Sequence, residues 1–252
     1  MIRILMSSLV IAALAISCGG GAEEAAKPSP STKPAPAAAP SAAGALSGTV
    51  KFEGEAPAAQ AIQMAADPSC ARMHSDAVMT EFVVVGDGGG LKNVFVYVKE
   101  GLEGQTFDVP TEAAMLKQEG CLYSPHVFGI RAGQTLTIQN ADDTLHNIHA
   151  MPKNNKEFNV GQPVKGLKTD RVFDNPEVMV PFKCDVHKWM STYAGVVDHP
   201  FFATTDIDGS YSIPGLPPGD YVVEAWHEKY GTQQMNVTVG ADGADASFTF
   251  SE

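Results

Sequence analysis

The 252-residue chain carries 29 acidic against 17 basic side chains, a formal charge of −12 at pH 7 with histidines neutral. Such a polyanion is repelled by nucleic acid and by an anionic membrane surface, so neither is expected as a partner. The charge suits steering toward a basic protein, and it suits equally a surface that is merely kept soluble.

Arg3 precedes a largely apolar run from Ile4 to Ile16 that ends in Ser17-Cys18-Gly19-Gly20. A basic start, an apolar stretch too short to span a bilayer and small residues after it predict a secretory signal peptide over residues 1–17. Leu14-Ala15-Ile16-Ser17-Cys18 resembles a bacterial lipobox, although its leucine sits one place further from the cysteine than is usual. The resemblance implies lipidation of Cys18 and an anchor on the periplasmic side of the envelope. Gly19 replaces the aspartate that retains many lipoproteins at the inner membrane, which favours the outer one. Ordinary cleavage nearby, leaving a soluble periplasmic protein, is the plainer alternative. Residues 18–45 are almost wholly Ala, Pro, Ser, Gly, Glu and Lys, a composition that buries too little apolar surface to fold and predicts a tether.

The remaining two hundred or so residues predict an all-β body. Apolar, β-branched runs recur at 82–85, 94–98, 135–139, 178–182, 193–197, 221–226 and 234–239. Turn signals separate them: Gly86-Asp-Gly-Gly-Gly90, Asp208-Gly209, Pro217-Pro-Gly219 and Asp242-Gly243. The stretch 111–117 reads either as one helical turn or as an edge strand.

Two short segments carry the chemistry. His146-Asn-Ile-His149 supplies imidazoles, and Cys184-Asp-Val-His187-Lys-Trp-Met190 places a thiol, an imidazole and a thioether in one loop. Two imidazoles and a thiolate with a weak thioether form the donor set of a one-electron copper site. His146 and His149 are three apart, so on a strand they face opposite ways and one metal takes only one of them.

From Ala113 the chain resembles the cupredoxins, the amicyanins in particular. Tyr123-Ser-Pro125 matches their aromatic-x-Pro, and Leu145-His-Asn-Ile-His149 and the Cys-x2-His-x2-Met spacing follow in the same order. The resemblance implies a Greek-key β-sandwich with one type 1 copper held by His146, Cys184, His187 and axial Met190. It implies that Asn147 ties the two ligand segments together, that Phe182 shields the metal, and that the edge of the His187 ring lies near the surface where partners dock. It leaves His149 as a surface or packing imidazole. Lys188 and Trp189 stand where relatives often carry Pro and Phe.

The segment 204–226 resembles a carboxypeptidase regulatory-like, transthyretin-like β-sandwich, with hairpins at Asp208-Gly209 and Pro217-Pro-Gly219. It is short of strands, and 46–54 with 91–98 resemble the opening strands of that family. The expected division is therefore a small sandwich split between 46–104 and 199–252, with the copper domain over 105–198 inserted into it. A tandem order is the alternative.

With Cys18 assigned to lipid and Cys184 to metal, Cys70 and Cys121 remain as a disulfide in an exported protein. His74 and His126 lie just downstream of these cysteines, which keeps a second metal site open. A binuclear copper centre needs two cysteines in the ligand loop, and copper enzymes need further His clusters, so no enzyme is expected. The expected function is single-electron transfer with a redox protein such as a c-type cytochrome or a periplasmic dehydrogenase. The alternative is a copper storage, delivery or adhesion lipoprotein.

Overall fold

A computed structural model describes residues 44–252. The expected leader, Cys18 and nearly all of the tether lie outside the described residues. The chain opens with β1 (Gly44–Glu53), a long connection and β2 (Phe95–Glu100). Nine strands follow: β3 (Ala114–Glu119), β4 (Leu122–Ser124), β5 (Val127–Arg131), β6 (Thr135–Asn140), β7 (His146–Ala150), β8 (Phe158–Gln162), β9 (Lys168–Val172), β10 (Glu177–Lys183) and β11 (Ser191–Val197). Six more close the chain: β12 (Phe202–Thr204), β13 (Ser210–Leu216), β14 (Gly219–His227), β15 (Gly231–Val239), β16 (Ala244–Asp245) and β17 (Phe248–Ser251). Among the described residues, helix is confined to a 3₁₀ turn at Met64–Ala66 and to α1 (Pro68–Ala71), so the all-β expectation holds.

The first two strands pair with the last six. One sheet has the order β13-β1-β16, with β17 also on β1, and a second has the order β12-β2-β14-β15. Strict alternation builds the first: Leu46, Val50 and Phe52 of β1 and Tyr211 and Ile213 of β13 point inward, while Ser47, Lys51 and Ser212 face out. Their inner face meets Val96, Val98, Val223, Ala225 and Val237 from the second sheet to form one core.

The nine middle strands form the other two sheets, β5-β11-β10-β7-β8 and β4-β3-β6-β9. The ambiguous stretch near 111–117 resolves as a strand because β3 gains partners on both sides, β4 and β6. Leu116, Leu136, Ile138, Ile148, Phe173, Val180 and Phe182 fill the core between these sheets.

Strand β2 is buried on both faces. Val96 and Val98 serve the flanking sandwich, whereas Phe95 and Tyr97 join Val127 and Val197 of the inner one in a third cluster. Close approach there depends on two glycines paired across β5 and β11, Gly129 and Gly195. A Cβ on Gly195 would stand 2.4 Å from the Phe95 ring, and one on Gly129 would stand 2.2 Å from Phe202. Bare backbone at both positions forms the floor on which the two phenylalanines lie.

The run 82–85 is not a strand. It bends back through the Gly86–Gly90 turn, and only an isolated bridge, Val85 to Leu91, pairs it. Val83 and Val85 are nonetheless half-buried against the flanking core, which accounts for their apolar character.

Candidate metal centre

The centre is built where β7 and the loop after β10 meet. Residues of β7 alternate, so His146 and Ile148 turn into the protein while His149 is carried outward. There His149 meets Asp185 Oδ2 at 3.0 Å and Glu157 Oε1 at 2.7 Å, the surface role expected for it. Strand β10 delivers Cys184, after which the chain turns back on itself. The Cys184 amide donates to the Met190 carbonyl and the Met190 amide to the His187 carbonyl, so the loop is closed at both ends.

Within this turn the His146 and His187 Nδ1 atoms stand 3.0 Å apart, and the Cys184 sulfur is 3.9 Å from His187 Nδ1. One potential donor atom from each of these three residues lies within 4.8 Å of the others. His146 and Cys184 are fully buried and His187 is 2% exposed. Met190 is buried in the same cluster as Cys184, together with Phe182, which packs against Phe128, Phe158 and Phe173.

Asn147 clamps the two segments. Its side-chain oxygen accepts the Asp185 amide at 2.6 Å and the Val186 amide at 3.3 Å, and it lies 3.2 Å from the Cys184 sulfur. Tyr123, the aromatic of the aromatic-x-Pro, donates its hydroxyl to the Asn147 carbonyl at 2.6 Å and to the Lys183 carbonyl at 3.1 Å. Burial pushes the Cys184 thiol pKa up. Hydrogen bonding from His146 and from the Asn147, His187 and Val186 amides outweighs burial and holds it below the ordinary thiol value.

Each imidazole turns its outer edge to a carboxylate, a feature that the sequence reading missed. His146 Nε2 lies 2.9 Å from Asp142 Oδ2, and His187 Nε2 lies 2.9 Å from Asp67 Oδ2. Asp142 also accepts the Gly120 and Cys121 amides, both at 2.8 Å, which fixes the turn between β3 and β4. Both turn residues have positive φ, 62° at Gly120 and 57° at Cys121, the left-handed region that the Asp142 contacts stabilise. Burial raises the Asp142 carboxyl pKa, but His146 and these two amides outweigh it, so the group is held below its ordinary value. A signal for Asp142 existed in its position four residues before His146. None existed for Asp67, 120 positions from its partner.

Cys70 and Cys121 form a disulfide. The open alternative of a second metal site is thereby overturned, because both sulfurs are spent on each other. The nearby histidines have other partners: His74 Nε2 meets the Gly120 carbonyl at 2.7 Å, and His126 Nε2 meets Glu228 Oε1 at 2.5 Å. The disulfide sits against the centre, with Cys70 Sγ 3.5 Å from His187 Nε2. Trp189 stacks obliquely on the His187 ring, centroids 5.1 Å apart, and donates its indole N–H to the Cys121 carbonyl. The His187 edge expected near the surface is consequently covered, because Asp67, Cys70 and Trp189 all close over it.

Residues 196–251 match the family model of the carboxypeptidase regulatory-like domain. The match spans β12–β17 and stops short of β1 and β2, which complete the same two sheets. No curated protein matches the chain. Among solved structures, a purple cupredoxin from Nitrosopumilus maritimus is 26% identical, covering 33% of this chain and 98% of that one with a TM-score of 0.29. The Cu(I) form of an amicyanin mutant is 18% identical over 40% of this chain and 97% of its own, TM-score 0.31. A copper-containing nitrite reductase from Thermus scotoductus SA-01 is 17% identical over 38% of this chain, TM-score 0.33, and the match spans 26% of the reductase.

Proposed function

We propose that this protein is a single-electron carrier in which His146, Cys184, His187 and the Met190 thioether would hold one copper ion. The donor geometry carries the reading. A carboxylate only accepts hydrogen bonds, so Asp142 and Asp67 each draw the imidazole proton to Nε2. Both Nδ1 atoms then converge, 3.0 Å apart, beside the buried Cys184 sulfur. Two imidazole nitrogens and a sulfur within 4.8 Å of one another, all buried, form a compact donor set for a cation. Imidazole, thiolate and thioether together suit copper, whose bound ion supplies a one-electron couple.

The chain's own residues do the rest. The closed Cys184–Met190 turn and the Asn147 clamp hold the donors in place as charge changes, so little has to reorganise. Phe182 and its aromatic neighbours keep water and oxidants from the sulfur. Complete burial of two of the donors supports retention of the ion over exchange with other carriers.

In this reading residues 105–198 are a copper module inserted into a sandwich built from 46–104 and 199–252, a division supported by the pairing of β1 and β2 with β12–β17, while Ile62, Met64, Cys70 and Val78 of the connection pack on the core of the inserted module. Residues 1–17 direct export. Lipidated Cys18 then holds the protein on the periplasmic side of the outer membrane. The acidic surface meets a basic redox partner such as a c-type cytochrome, or a periplasmic dehydrogenase, and the protein itself catalyses no reaction.

Optical and electron-paramagnetic-resonance spectra of the copper-loaded protein test this. An intense visible thiolate-to-copper band that bleaches with ascorbate, returns on reoxidation and is absent from Cys184→Ser is expected. A colourless protein, or an ordinary tetragonal copper centre, overturns it in favour of metal handling or adhesion.

A further inference from the structure

We propose that Asp67 is a positioning residue for His187, supplied by the connection that leads out of the flanking sandwich, and that it sets the ring's proton and closes its outer edge. The inference rests on the copper reading above. Asp67 divides its oxygens between two tasks. Oδ1 caps α1, accepting the Ser69 amide at 2.7 Å and the Cys70 amide at 3.3 Å, while Oδ2 meets His187 Nε2 at 2.9 Å. Pro68 occupies the first turn of α1, where its missing N–H costs nothing.

Three restraints fix this carboxylate against the ring. The Cys70–Cys121 disulfide ties α1 to the turn between β3 and β4, which Asp142 holds in place while also bonding His146. Met64 and Cys70 are buried in the inner core on either side of Asp67. The Ile62 amide donates to the Val78 carbonyl and the Thr80 amide to the Gln60 carbonyl, closing the base of the connection. Its two consequences are chemical. His187 is held in the tautomer that leaves Nδ1 free to ligate, and a fixed negative charge stands behind the ligand ring, favouring the more highly charged oxidised ion.

Asp67→Ser separates the tasks, since serine still caps a helix but is too short to reach the ring. Amide exchange at Ser69 and Cys70 together with a thiol count shows that α1 and the disulfide remain intact. Asp67→Asn, with one oxygen for two sets of donors, serves as the second variant. Three quantities are read: affinity for copper(II) and copper(I), the midpoint potential, and water exchange of the His187 Nε2 proton by NMR in the copper(I) and metal-free proteins. Outer-shell partners of this kind are worth about 10–100-fold in metal affinity. With the loss falling mainly on copper(II), the potential rises by about 59 mV for each tenfold of selective loss. The His187 Nε2 proton changes from slow to fast exchange. An unchanged potential together with a still-protected proton in Asp67→Ser overturns the inference. If the wild type forms no type 1 centre, the copper reading falls by itself. The Nε2 proton of the metal-free protein then decides on Asp67: slow exchange in the wild type and fast exchange in Asp67→Ser uphold the contact, and equal rates overturn it.

Discussion

Truncation of Asp142 to alanine should unfold the turn between β3 and β4 before it affects anything else. Its two oxygens accept three donors, the Gly120 amide, the Cys121 amide and His146 Nε2–H, and the side chain is almost wholly enclosed. Each buried donor left without a partner costs about 1–3 kcal/mol. Water entering the cavity satisfies some of them, so the expected loss is about 3–5 kcal/mol, a large part of the ~5–15 kcal/mol that holds a typical domain together. Asp142→Asn keeps the volume but has one oxygen for three donors, and should lose about half as much. The assay is urea denaturation of the metal-free protein, taking the change in midpoint at constant slope as a change in stability. Native-state amide exchange at Gly120 and Cys121 runs alongside it and should accelerate in Asp142→Ala out of proportion to the global loss. A loss below about 1 kcal/mol, or amides as protected as in the wild type, would refute the claim that this carboxylate organises the turn.

Replacing both Cys70 and Cys121 by alanine removes a link spanning 51 positions, which in the chain-entropy account stabilises by about 4 kcal/mol. Denaturation should show that loss, and a loss near zero would mean that the core alone holds α1 in place. Gly195→Ala drives a Cβ to within 2.4 Å of the Phe95 ring and should cost about 1–3 kcal/mol. Pairing it with Phe95→Leu should recover part of the loss, and strictly additive losses would place the strain elsewhere. Burial, reinforced by the nearby His126 and Lys229, lowers the His227 pKa to about 4. The unfolded chain therefore binds this proton first as pH falls. The stability from neutral His227 is complete above about pH 6.5 and drains away toward pH 4, by about 3 kcal/mol. His227→Gln should flatten that part of the stability profile, and an unchanged slope would assign it to other groups.

Much of this protein was legible in its residues because the relevant signals are local. Six of the seven apolar, β-branched runs fall on strands, since such runs must leave water, although many of the shorter strands carry no such run. The same period of two separated His146 from His149, and the spacing of the Cys184–Met190 loop placed its donors within a single closed turn. One apolar run is not a strand. The run 82–85 is apolar because it lies against a core, not because it is a strand, and its sequence does not distinguish the two.

Tertiary structure decided what joins distant parts of the chain. Gly129 and Gly195 are ordinary strand glycines until Phe95 and Phe202 lie on them, and only the packed sheets reveal why no side chain fits there. The pairing of Cys70 with Cys121 was open while each cysteine still had a histidine nearby in sequence, and it closed once the connection brought the two sulfurs together. Asp67 lies 120 positions from its ring, and Asp142, though four before His146, is not marked by any motif as its partner. Beside holding a turn and capping a helix, their carboxylates serve the centre because folding places one against each imidazole, where burial makes an unpaired ring nitrogen costly. The donor set thus belongs to the sequence. Its enclosure and the Asp67 contact come from segments far apart in the chain, which local pattern cannot encode.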